Sequence, residues 1–223
     1  MNWRGITLME LLVSISLLSL LSVGILFAFR IGLNAMTKTN GRLMSNRRVL
    51  GVERILEQQI AGFVPTKADC RKQQVPFFQG EAQTMRFVST YSLQEATRGY
   101  PRILEFQVIP GDQGRGVRLI VNEHLYSGPL STGRFCVDAP VEIGPDSFVL
   151  ADKLAECRFS YREEFEPPQR PVWHMKWTKD FTPPAVRIDM VPLEPDPAKL
   201  HVSSIIAPFR VDRHAMMNYL DWQ

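Results

Sequence analysis

A single carboxylate, Glu10, stands near the start of an otherwise apolar tract, four residues after Ile6 and five after Gly5. A carboxylate inside a membrane helix costs roughly 2.5–3.5 kcal/mol on insertion scales, so it needs something to offset its charge. Two placements do this. Glu10 can sit at the level of the lipid headgroups, or it can pair with an α-amine that a cut after Gly5 would free on Ile6. That amine lies one turn away on the same chain or beside the Glu10 of a neighbouring copy. The other reactive side chains form no constellation. His124, His174, His201 and His214 are scattered, and Cys70, Cys136 and Cys157 make no Cys-x-x-Cys pair, so no metal site is expected. No Gly-x-Ser-x-Gly elbow or phosphate loop is present. Gly111 to Gly116 lacks the Lys-Ser/Thr of a P-loop and reads as a hairpin loop between strands. Glu163, Glu164 and Glu166 offer hard oxygen ligands, but without an Asp-x-Asp or a glycine-containing loop they read as a solvated acidic turn. No catalytic residue, cofactor or metal is expected.

The elements around Glu10 are legible. The 223 residues are 45% hydrophobic with a formal charge of +3, which suits a folded protein and gives no reason to expect nucleic-acid binding. Leu11 to Phe29 carries no charge, and roughly 20 apolar helical residues cross a hydrocarbon core of about 30 Å. A core helix would rarely be apolar on every face. A cleaved secretory signal would end in small residues, which Phe27 to Arg30 does not supply. Residues 6–29 therefore read as a retained membrane helix, in which Ser14, Ser16, Ser19 and Ser22 can bond back to their own backbone.

All 16 prolines lie at or beyond Pro65, so the helix is expected to continue through 30–64. Met36, Leu43 and Leu50 recur every seven residues, and Val49, Val52, Leu56, Ile60 and Phe63 keep a 3/4 spacing. This amphipathic stripe over 36–63 needs a sheet to cover it. Arg42, Arg47, Arg48 and Arg54 fill the other faces, as a solvated surface or as a contact with acidic patches on neighbours. Gly32, Gly41 and Gly51 permit bends. From Pro65 the texture becomes β. Met85 to Tyr91, Ile103 to Ile109, Val117 to Val121, Cys157 to Tyr161 and Ala185 to Val191 alternate between turn clusters. The fold class is α+β, a long N-terminal spine helix packed on an antiparallel head at 65–223. Trp173 and Trp177 read as core filling, as cover for the spine, or as a partner-binding patch.

Residues Arg4 to Val13 resemble the class III signal of type IV prepilins and type II secretion pseudopilins, in which glycine, apolar tract and glutamate fall in one register. The resemblance implies removal of the leader 1–5 by a prepilin peptidase, N-methylation of the new N-terminus Ile6, and a role for Glu10 in subunit assembly. Ile6 departs from the phenylalanine most often found there. Leu154 to Met190 is similar to the C-terminal part of J-type minor pseudopilins, with Trp173, Trp177 and Pro183-Pro184 leading into a strand. The implied function is a minor pseudopilin that nucleates or caps a type II secretion pseudopilus. Its implied partners are other minor and major pseudopilins, the prepilin peptidase, the secretion assembly platform and the inner membrane. A W-type minor pilin of a type IV pilus shares the same entrance. A membrane-anchored periplasmic binding protein is the alternative outside that class. The resemblance also implies a single inner-membrane span, with the N-terminus cytoplasmic before processing and the head in the periplasm, where disulfides form. If a pair bridges there it is Cys70 and Cys136, which lie in polar, turn-rich stretches. Cys157 alternates with Phe159 and Tyr161 and reads as a buried thiol.

Overall fold

The computed structural model of the chain describes residues 7–70, 73–136, 143–144, 147–165, 169–196, 200 and 204–210. Within these it gives only the backbone of Lys38, Gly41, Arg42, Leu43, Ser45, Arg134 and Phe135. It divides into two compact units, Met1–Arg47 and Arg48–Gln223. Helix α1 spans Leu8–Ala61 without interruption, as the absence of proline allows. In the first unit its described side chains are exposed up to Met44. Leu8–Thr37 is long and apolar enough to cross a membrane, with none of it buried.

The second unit is the last part of α1 with an antiparallel sheet, making the chain α+β. Its strands are β1 (Lys67–Cys70), β2 (Gln73–Pro76), β3 (Gln79–Gly80), β4 (Thr84–Ser92), β5 (Thr97–Pro110), β6 (Val117–Leu125), β7 (Phe148–Glu163), β8 (Val172–His174), β9 (Ala185–Pro192) and β10 (Ser204–Pro208). β1 and β2 form a separate hairpin. The main sheet runs β10-β9-β7-β6-β5-β4-β3, with β8 beside the end of β7. Gly111 to Gly116 closes the β5–β6 hairpin. Gly116 has φ +66°, and a Cβ there would lie 2.3 Å from the Leu154 carbonyl oxygen, so only glycine fits.

The sheet curls until β3 meets β7. Phe159 N–H donates to the Ala82 carbonyl at 2.9 Å, and Trp177 N–H donates to the Gly80 carbonyl at 2.8 Å. The Tyr161 hydroxyl donates to the Glu81 carbonyl at 3.0 Å. Into the curl go Leu56, Ile60 and Phe63 from the helix side, with Met85 and Phe87 of β4, Leu104 and Phe106 of β5, and Phe159 and Tyr161 of β7. Val186, Ile188 and Met190 of β9 join them. Phe63, Phe78, Phe87 and Phe209 meet there with ring centroids 5.1–6.4 Å apart, mostly edge to face.

Three sequence expectations need correction. The helix ends at Ala61, short of 64, because Phe63 bridges to Ser89 as a strand residue. Only the lower part of the 36–63 stripe is covered. Leu56 and Ile60 are fully buried and Val52 half-buried, whereas Met36 and Leu50 remain exposed, since the sheet meets only the last turns of α1. The side chain of Leu43 lies outside the description. Finally, period-two alternation implies strands with one buried face, yet β4 and β5 are covered on both. Their outer face buries Val88 and Ile103 against Ala68 and Phe77, because the β1–β2 segment folds over it.

Gly80 carries the curl. A Cβ at this position would stand 2.6 Å from Cζ of the fully buried Tyr161 ring. Gly80→Ala is expected to destabilise the head by about 1–3 kcal/mol, as overpacking does, read as a lowered Tm in thermal denaturation followed by circular dichroism. An unchanged Tm would show that β7 and β3 can part without cost.

Candidate functional site

Glu10 lies in the first turn of α1 and is exposed. Thr7 opens the helix. Its carbonyl accepts from the N–H groups of Glu10 (3.1 Å) and Leu11 (3.2 Å), and its hydroxyl accepts from Glu10 N–H at 3.3 Å. Thr7-x-x-Glu10 is thus the sequence of a capping box, a signal that the sequence reading missed. The acid also stands at the positive end of the helix dipole. Gly5 and Ile6 lie outside the described residues. Along the apolar tract the hydroxyls of Ser14, Ser16, Ser19 and Ser22 donate to the carbonyls of Glu10, Leu12, Ile15 and Leu18 at 2.6–2.8 Å. Each polar group is satisfied within the helix itself, as a lipid environment demands. Among the described residues of this tract, the Glu10 carboxylate has no such bond within the helix.

In the head, Cys70 and Cys136 form a disulfide. It ties β1 to the 3-10 turn Pro129–Cys136 and closes the cover over Val88 and Ile103. Cys157 is free and buried. Burial first, and then the charges of Asp189 and Glu156, push its thiol up to about 12. Trp177 is buried, and its indole N–H donates to the Phe181 carbonyl at 2.6 Å, so it fills core. Trp173 is half-buried, with the Arg187 guanidinium 4.8 Å from its ring centre.

The described carboxylates of the acidic turn face basic side chains of the head. Glu163 lies 3.1 Å from Lys179 Nζ and 2.7 Å from His174 Nε2, while Glu164 pairs with Arg162. Glu166, His201 and His214 lie outside the described residues. Among the described residues, no three His, Cys, Asp or Glu side chains gather as a metal would require.

Two polar anchors escaped the sequence reading. Glu123 of β6 accepts from Gln59 Nε2 (3.3 Å), from the Ser92 hydroxyl (2.8 Å) and from Leu93 N–H (2.5 Å), joining α1 to the β4–β5 turn. On the outer face, Arg86 Nε donates to Glu105 at 2.9 Å, and Arg86 Nη1 donates to Gln79 at 3.1 Å. His124 Nε2 stands 2.7 Å from the other Glu105 oxygen. Arg86 and Glu105 are both nearly fully buried. For Glu123 the sequence signal was a charge in register with Leu119 and Val121, whereas Arg86 and Glu105 fall on the face that alternation leaves to solvent. No family model, curated protein or solved structure matches the chain.

Two expected outcomes follow from these contacts. Replacing Glu105 with Ala leaves the Arg86 guanidinium buried without its counter-charge, which should cost about 3–5 kcal/mol in chemical denaturation. A loss under 1 kcal/mol would mean that water reaches Arg86. The hydrogen bond from Lys179 holds the Glu163 carboxyl below the usual carboxylate range. A lowered folded-state pKa stabilises above the unfolded value and loses that contribution as pH falls through the folded one. Lys179→Ala should therefore lower Tm at neutral pH. Its difference from the parent should shrink steadily as the pH drops below about 4, the range of a free glutamate.

Proposed function

We propose that this protein is a minor pseudopilin of the J-type, anchored in the inner membrane by α1 with its head in the periplasm. It would help nucleate or cap a short filament that exports proteins. The observation that carries the reading is the register of Gly5, Ile6 and Glu10 at the mouth of an apolar helix. That helix continues unbroken to Leu56 and Ile60 in the core of a curled antiparallel sheet. The disulfide between Cys70 and Cys136 supports a head in an oxidising compartment. The self-satisfied serines support a helix surrounded by lipid.

In this reading a prepilin peptidase cuts after Gly5, and the α-amine of Ile6 neutralises Glu10 at i, i+4 while the subunit waits in the bilayer. During assembly the carboxylate passes to the α-amine of an adjacent subunit. Apolar side chains cannot set register in an apolar solvent, whereas one buried charge pair can. Other minor and major pseudopilins and the assembly platform would be the partners.

Mass spectrometry of the mature protein from cells with an active prepilin peptidase should give an N-terminus at Ile6 carrying one added methyl group. An intact Met1 terminus would overturn the reading. Gly5→Val should block the cut, because a β-branched side chain crowds the close backbone approach that glycine allows. Glu10→Leu should be inserted and processed normally but lose crosslinking to partner pseudopilins and secretion by roughly tenfold or more, as expected when an offset buried charge disappears. Undiminished crosslinking and secretion would make the carboxylate a bystander at the headgroups.

A further inference from the structure

The two faces of the sheet carry apolar clusters of very different extent. The inner cluster joins residues from Leu56 of α1 to Phe209 beyond β10. The outer one holds Ala68, Phe77, Val88 and Ile103. Val88 and Ile103 face each other across β4 and β5, and Ala68 and Phe77 lie over them from the β1–β2 segment. β1 and β2 form a sheet of their own, with Phe77 N–H donating to the Thr66 carbonyl at 2.9 Å. The segment is bonded to the main sheet at its two ends. Val64 N–H donates to the Val88 carbonyl at 2.8 Å, and Gln79 pairs with Arg86. Phe78, beside the second anchor, packs against the inner cluster. Between these anchors the Cys70–Cys136 bond joins residues 66 positions apart and ties β1 to the 3-10 turn Pro129–Cys136. With the bond intact, β1 can leave the sheet only if that turn leaves too, and Thr132 within the turn is fully buried. A small apolar cluster pinned by a cross-link is the part of a head that opens first once the cross-link is gone.

We propose that the Cys70–Cys136 bond is a redox-sensitive latch: when a dithiol reduces it, β1 and β2 lift from β4 and β5 and bare Val88 and Ile103, while the curled inner core stays folded. Cys70 and Cys136 are only half-buried, so neither is sealed from a small dithiol. One thiolate of the dithiol attacks a sulfur of the bond and forms a mixed disulfide. Its second thiol then displaces the remaining sulfur, so the dithiol closes to a ring disulfide and Cys70 and Cys136 become two thiols. Cys157 takes no part. It lies in the inner cluster, and burial pushes its thiol up to about 12, which leaves little of the thiolate that exchange requires. The reduced pair is therefore left to rejoin with itself when a disulfide oxidant returns. The latch concerns the head alone and stands or falls independently of processing at Gly5.

The test follows hydrogen exchange by mass spectrometry in the full chain, held in detergent micelles, before and after treatment with dithiothreitol. Amides of β1 and β2 should exchange at least roughly tenfold faster after reduction, since a bond closing a loop of this length restrains the open state by more than that. Amides of β5 and β9 should keep their rates. Iodoacetamide should label Cys70 and Cys136 in the reduced chain and leave Cys157 unlabelled, which makes Cys157 an internal report on the core. Glutathione disulfide, added after the reductant is removed, should restore slow exchange. Cys136→Ser should exchange at the reduced rate with or without dithiothreitol, which assigns the effect to this bond. Unchanged exchange in β1 and β2 after reduction would show that packing alone holds the segment. Labelling of Cys157 together with the pair would show that the head unfolds as one unit. Either result would overturn the proposal.

Discussion

A helix that ends inside a protein must hand its last carbonyls to some other donor, and the head is organised around how α1 does this. The Gly62 carbonyl accepts from Thr90 N–H at 2.8 Å, Val64 N–H donates to the Val88 carbonyl at 2.8 Å, and the Ser89 hydroxyl donates to the Gln59 carbonyl at 2.8 Å. The chain thus leaves the helix as an extra extended segment beside β4. Gly62 makes the approach possible, since a Cβ there would lie 2.6 Å from Ser89 Oγ and 3.1 Å from Tyr91 N. Once the exit is fixed, Leu56 and Ile60 are aimed into the curl and Gln59 reaches Glu123.

The same junction explains why the sheet needs two covers. With the helix and the curled strands filling the inner face, β4 and β5 still present Val88, Ile103, Arg86 and Glu105 on the other side. The β1–β2 hairpin and the 3-10 turn close over the apolar pair, and the disulfide fastens them together. The ion pair is closed by Gln79 and His124. A buried arginine and glutamate stabilise little against a good apolar pair, yet they penalise any register in which one is left alone. Together with Gly80 against Tyr161, that penalty selects this curl among the pairings short strands could make.

The first unit follows a different physical rule. Ser14, Ser16, Ser19 and Ser22 bond back to their own backbone, the described apolar side chains are exposed, and between Leu8 and Arg47 the charges are Glu10 and the cations from Arg30 onward. The stretch from Leu8 to Thr37 is long and apolar enough to cross a membrane. In the proposed function, the Glu10 carboxylate is what a neighbouring subunit would meet.

The sequence by itself determined what depends on composition and local spacing. The absence of proline before Pro65 marked one long helix, the uncharged run from Leu11 to Phe29 marked a segment suited to lipid, and period-two alternation marked β4, β5, β6 and β9. Short strands such as β3, β8 and β10, and most of β7, were not legible, because each owes its conformation to a neighbour's hydrogen bonds and not to its own pattern. The capping role of Thr7 was written in the sequence and went unread. Tertiary structure alone decided where the amphipathic stripe is covered, since a stripe says that something must pack on it and not how far the packing extends. It also decided that Arg86 and Glu105 face each other across β4 and β5, and that Glu123 holds α1 to the β4–β5 turn. These contacts join residues 19 to 64 positions apart, and a linear pattern holds no record of which distant partner will neutralise a charge.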